Sequence, residues 1–140
     1  NILESYLSDP YYEALPPKSL DVNDFSLSPV RSLQLEDAVA TLSDLTSLTI
    51  INALDFFKIK PNEIILCGGG RKNKYISKRI ESLSNILTTN IDKHQINGDF
   101  IESQAFAYLA IRSLLKKPIS FPETTGVTKP LTGGEFIEFK

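Results

Sequence analysis

Apolar side chains recur at three- and four-residue steps from Leu35 to Phe57, through Val39, Leu42, Thr46, Thr49, Ile50 and Ala53. That period predicts a long helix with one buried face. Glu36 and Asp37 stand in its first turn, where the helix dipole favours acids, and Pro61 forbids its continuation. Ile64–Cys67 follows as an unbroken apolar run, which predicts a strand buried on both faces, as in a central sheet. After three glycines, Asn73 can cap a helix that turns Tyr75, Ile76, Ile80 and Leu83 inward. A second strand is expected near Ile86–Thr89, and Asn97-Gly98 reads as a turn. From Asp99 to about Leu115 the chain is apolar nearly all round, which predicts a largely buried helix.

The two ends are less regular. Residues 1 to 15 read as a short helix broken at Pro10, leading into an aromatic patch at Tyr11-Tyr12. Pro16 and Pro17 make the following stretch an exposed, stiff loop, and Val22–Pro29 continues irregularly. The tail, with Pro118, Pro122, Gly126, Pro130, Gly133 and Gly134, is loop-like, with an edge strand expected at Phe136–Phe139. There is no internal repeat. The order helix, strand, helix, strand, helix indicates an α/β fold, and 140 residues suffice for one domain, taken as 1–140.

The richest segment for chemistry is Cys67-Gly68-Gly69-Gly70-Arg71-Lys72-Asn73. A strand, a triple-glycine turn and a helix start can bring backbone N–H groups and a positive dipole end against a phosphate. The spacing is neither G-x-G-x-x-G nor the P-loop pattern, so a tight connection without ligand explains it equally well. Arg71, Lys72, Lys74, Lys78 and Arg79 cluster beyond the glycines; they are either a solvated surface group or partners of a phosphate. Asp99 and Glu102 have the spacing of a capping box, or else place acids at a helix start facing substrate hydroxyls. His94, the only histidine, has no companion ligand and reads as a bystander. Cys67 reads as a small buried hydrophobe. No general base and no nucleophilic triad can be assembled from the sequence.

Composition narrows the classes. A net charge of −2 argues against a nucleic-acid platform, and a single cysteine excludes an internal disulfide and fits a reducing, cytoplasmic setting. No apolar run approaches the ~20 residues of a membrane span, and nothing at the start reads as a signal peptide. The chain holds no methionine and opens at Asn1-Ile2-Leu3-Glu4, already helical in character. The expectation is therefore a C-terminal piece of a longer protein, or a domain excised from one, with part of the site elsewhere.

Taken together, several blocks resemble one family. Cys67-Gly68-Gly69-Gly70 with Asn73, and Gly98-Asp99-Phe100-Ile101-Glu102-Ser103-Gln104-Ala105-Phe106-Ala107-Tyr108-Leu109-Ala110, are similar to the C-terminal part of anhydro-N-acetylmuramic acid kinases. So are Pro16-Pro17-Lys18-Ser19, Ala40-Thr41-Leu42-Ser43-Asp44-Leu45-Thr46, and Leu115-Lys116-Lys117-Pro118-Ile119-Ser120-Phe121-Pro122 followed by Thr125-Gly126. The blocks fall in the family's order across nearly the whole chain. After Lys18-Ser19 many members continue Thr-Gly-Arg-Glu, where this chain has Leu20-Asp21-Val22-Asn23.

The resemblance implies the C-terminal lobe of an actin-like, ribonuclease H-like ATPase fold, without the N-terminal lobe. It implies an enzyme that converts anhydro-N-acetylmuramic acid, ATP and water to N-acetylmuramic acid 6-phosphate and ADP, in peptidoglycan recycling. Gly68, Gly69 and Gly70 would form the adenosine-side loop with Asn73 beside them, and Glu102, Asp99 and Lys18 would serve the sugar side. ATP and Mg²⁺ are the implied cofactors, and a homodimer is a possible assembly. The general-base aspartate would lie in the other lobe, so this chain alone is expected to be inactive. The competing reading is a non-catalytic interaction module, or a gene remnant, that keeps the fold.

Overall fold

The computed structural model describes residues 2–137. Helices α1 (Ile2–Leu7) and α2 (Pro10–Glu13) open the chain, and α3 (Leu35–Ala53) is its longest element. Strand β1 (Glu63–Leu66), helix α4 (Lys74–Ser84) and strand β2 (Leu87–Asn90) follow, then α5 (Ile101–Leu114) and α6 (Pro122–Thr125). Pro10 interrupts the helical run as expected, α1 ending at Leu7. It begins α2, where its missing N–H costs nothing, with the Asp9 side chain accepting from Tyr11 N.

β1, α4 and β2 form a βαβ unit. The strands pair in parallel, Glu63 opposite Leu87 and Leu66 opposite Asn90. The crossover through α4 is what parallel pairing demands. Asn73 caps α4 as expected, its Oδ1 accepting from Tyr75 N and Ile76 N. The helix ends at Asn85, whose left-handed φ of 56° suits an asparagine. Ile80 is fully buried, while Tyr75 stays half exposed.

The predicted α/β class and the central order of elements hold, with both strands displaced by one residue from expectation. Four predictions of burial do not hold. The buried positions of α3 are Leu45 and Ser47, whereas Val39 and Phe57 of the expected face are 55% and 63% exposed. Apolar residues stand on several sides of α3, so its period alone admitted more than one face. Packing against α4 and α1 selected this one. Asp44 lies on that side and accepts from Tyr75 Oη (2.9 Å) and Arg79 Nε (2.8 Å), joining α3 to α4. Ser47 stays satisfied by donating to Ser43 O at 2.9 Å.

The second correction concerns α5. It has no buried residue, and Phe106, Tyr108, Ile111 and Leu114 are 58–64% exposed. Only the tail covers part of it: Phe106, Leu109, Leu114, Ile119 and Phe136 line a shared cavity of about 350 Å³. Third, β1 is not enclosed on both faces, since Ile65 is 44% exposed and the sheet has two strands among the described residues. Cys67 is likewise exposed rather than buried. Both differences have one cause: the described residues supply no layer over those surfaces. The edge strand expected at Phe136–Phe139 is not formed at residues 136–137, and its remainder lies outside the described residues.

Candidate functional site

Two loops leave the same end of the parallel pair. Cys67-Gly68-Gly69-Gly70 follows β1, and residues 91–100 follow β2, each from the carboxyl end of its strand. In open α/β sheets this is the end at which ligands bind.

Gly68 has φ 71° and ψ −173°, a region that only glycine occupies freely, so its identity is required by the backbone itself. Gly69 and Gly70 differ. Neither has positive φ, and a Cβ added at either would meet nothing within 4 Å. Their lack of side chains leaves an open floor at the strand end. Gly69–Lys72 forms a 3₁₀ turn before α4 begins. The first amides of α4 therefore turn to Asn73 Oδ1 instead of standing free toward a phosphate, as the sequence suggested.

The basic cluster also resolves differently. Arg71 is pulled inward and is only 7% exposed. Its Nε donates to Asp92 Oδ2 at 2.6 Å and its Nη2 to Asp92 Oδ1 at 3.2 Å, a bidentate pair. Its Nη1 donates to Asp99 Oδ1 at 2.8 Å and to the Gly68 carbonyl at 2.9 Å. Lys72 Nζ reaches Asp99 Oδ1 at 2.7 Å, and Arg79 is held by Asp44. Arg71, Lys72 and Arg79 thus have carboxylate partners, while Lys74 and Lys78 remain exposed on α4.

Asp99 does not cap α5. Phe100, whose ring offers no acceptor, stands at the N-cap, and the Asp99 carboxylate is committed to Arg71 and Lys72. Hydrogen bonds from Arg71 and then Lys72 hold the Asp99 carboxyl down at about 2, and Arg71 lowers Asp92 in the same direction. The Arg71 guanidinium is held still more firmly protonated by the same two carboxylates. A depressed carboxyl stabilises the fold above its unfolded value and loses that contribution as pH falls through its folded one. The stability lent by Asp99 should therefore be complete above about pH 4 and decline toward pH 2. An acid titration followed by circular dichroism checks this: Asp99→Asn should flatten the decline, and an unchanged acid limb would refute the assignment.

Glu102 stands exposed in the first turn of α5. Lys18 lies elsewhere. Its Nζ donates to the carbonyls of Tyr11 (2.7 Å) and Tyr12 (3.0 Å) and sits 4.7 Å from the ring centroids of Tyr11 and Phe56. None of these partners belongs to the glycine-loop network. His94 Nε2 is 3.6 Å from Glu63 Oε1, which also accepts from Thr89 Oγ1. The fold therefore unites Gly68–Gly70 and Asp99, keeps Asn73 adjacent as a cap, and leaves Lys18 apart. Arg71 as a buried staple and Asp92 as its partner were not singled out from sequence. The one available signal was a pair of acids after the second strand.

No group of three or more His, Cys, Asp or Glu able to hold a metal ion occurs among the described residues. No helix among them is long and apolar enough to cross a membrane.

Comparison with known proteins places the chain. A family profile described as anhydro-N-acetylmuramic acid kinase matches residues 1–138. The anhydro-N-acetylmuramic acid kinase of Zymomonas mobilis is 42% identical over 134 residues, covering 96% of this chain and 37% of that protein. Those of Caulobacter vibrioides and Pelagibacter ubique are 43% and 48% identical, over 97% and 86% of this chain and 37% and 34% of their own lengths. The chain thus spans little more than a third of the length of these curated relatives. The match extends over nearly the whole chain, and the chain belongs to the anhydro-N-acetylmuramic acid kinase family.

Proposed function

We propose that this chain is the C-terminal, nucleotide-binding part of an anhydro-N-acetylmuramic acid kinase with an actin-like, two-lobed ATPase fold. In that reading the whole enzyme opens the anhydro bridge of anhydro-N-acetylmuramic acid with water and transfers the γ-phosphoryl group of ATP to the freed 6-oxygen. The products are N-acetylmuramic acid 6-phosphate and ADP, and the setting is cytoplasmic recycling of peptidoglycan. The observation that carries the reading is the open glycine floor at the carboxyl end of β1. Gly69 and Gly70 are glycines where neither the backbone nor local packing requires one, as expected where a ligand approaches the main chain.

Gly68, Gly69 and Gly70 hold the adenosine side, with the Asn73 amide nitrogen at its margin. Glu102, exposed one turn beyond Asp99, is the acid best placed to meet a sugar hydroxyl. Asp99 contributes by fixing the loop before α5, not by touching the sugar, and Lys18 is a structural cation of the α2–α3 region. The general base that activates water belongs to the part of the enzyme this chain does not span. Mg²⁺ does not fit the residues described here: Asp92 and Asp99 are both committed to Arg71, so no step is assigned to a metal on this chain. The bare face of α5 and the uncovered Ile65 support packing against further chain of the same enzyme.

Two activity measurements test the reading. The full-length protein, given the anhydro sugar and Mg·ATP, should release ADP and form the 6-phosphate. The 140-residue chain alone should release none. Sugar-independent hydrolysis of ATP by the full-length protein, with no phosphorylated sugar formed, would contradict the assignment.

A further inference from the structure

We infer that Arg71 is a positioning residue that couples the nucleotide loop to the sugar-side loop. The inference rests on the proposed assignment of those loops. Among the described residues, Arg71 is a buried charged side chain with hydrogen bonds to both loops that leave the sheet. One guanidinium nitrogen, Nη1, donates simultaneously to the Gly68 carbonyl and to Asp99 Oδ1. The Gly68 carbonyl belongs to the turn whose positive φ sets the path of Gly69 and Gly70. Asp99 lies two residues before the first residue of α5 and three before Glu102.

The other edge of the guanidinium locks this arrangement. Nε and Nη2 grip both oxygens of Asp92, and Asp92 Oδ1 also accepts from Gly98 N at 3.3 Å. Gly98 has no side chain because Arg71 occupies that space: a Cβ there would lie 2.3 Å from Arg71 Nε. The loop after β2 is therefore shaped around Arg71 from two sides. A planar fork with five fixed donors can satisfy Gly68, Asp92 and Asp99 together, whereas a lysine ammonium cannot span them. Movement of the glycine loop is thereby passed to the residues ahead of Glu102 through one rigid group.

The consequence is a shared dependence of two substrates on a residue that touches neither. In the full-length protein, Arg71→Lys should raise KM for ATP and KM for the anhydro sugar together, each about tenfold. The thermal midpoint should fall, because the lysine cannot satisfy Gly68, Asp92 and Asp99 together, so both constants are compared at a temperature where parent and variant are fully folded. Asp99→Asn should raise the same two constants, and the double variant should be little worse than Arg71→Lys alone, as expected of groups acting through one contact. Gly69→Val serves as the control for the nucleotide assignment. If Gly69→Val raises KM for ATP while Arg71→Lys leaves both constants unchanged, the coupling role is overturned and the site stands. A rise in only one constant, or full additivity of the two substitutions, would also overturn it. If Gly69→Val leaves KM for ATP unchanged, the nucleotide assignment itself fails and takes the coupling with it.

Discussion

Ile80→Ala should cost about 2–5 kcal/mol of unfolding free energy, the range for emptying a fully buried aliphatic site. Ile80 is 0% exposed, the most enclosed apolar side chain of the βαβ unit. It sits in α4, which packs on both α3 and β2, so the vacated space cannot be filled by a shift of one neighbour. Buried apolar side chains among the described residues are few, namely Val30, Leu45 and Ile80. Against a typical stability of about 5–15 kcal/mol, losing one of them is severe. Ile65→Ala is the internal comparison, since a side chain 44% exposed loses less transfer energy and leaves no closed cavity. Urea unfolding reads both. A smaller loss for Ile80→Ala than for Ile65→Ala would contradict the described packing.

Gly98→Ala should be the second large effect, although it adds one methyl group. The added Cβ would lie 2.3 Å from Arg71 Nε, 2.6 Å from Cζ and 2.8 Å from Cδ, so either the guanidinium or the loop must move. Moving the guanidinium weakens its bonds to Asp92 and Asp99 and leaves charged groups imperfectly paired at a nearly buried site. Overpacking of this kind costs about 1–3 kcal/mol. Gly69→Ala should cost far less, because open space surrounds it and its φ is ordinary. The ratio of the two, measured by thermal unfolding, is the test. Equal effects would mean that Arg71 does not fill the notch beside Gly98.

These two residues also show what was readable in the chain beforehand. The βαβ unit was legible because its signals are local: an apolar run, glycines, and an asparagine in capping position before a 3.6-residue period. Burial was less legible. In α3 apolar residues occupy more than one side, and contacts with α1 and α4, distant in sequence, select the buried one. In α5 the apolar circumference predicts burial, yet no residue of the helix is buried among the described residues. Pro118, Ile119, Phe121 and the Gly133–Phe136 tail lie against parts of it. The glycine turn is visible in the sequence, whereas the Arg71 staple behind it is not. Arg71 meets Asp92 and Asp99 across 21 and 28 residues, and no local spacing encodes such a pairing. The position of Asp99 before a helix suggests either a cap or an acid facing a substrate, and of these the cap is not made.

In the proposed function the glycine loop after β1 holds the nucleotide. Calorimetric titration of the full-length protein with ATP and with ADP, repeated on Gly69→Val, tests it most directly. Saturable binding of both nucleotides by the parent and loss of both in the variant are expected, with the thermal midpoint little changed. Undiminished binding of both nucleotides by folded Gly69→Val would contradict it.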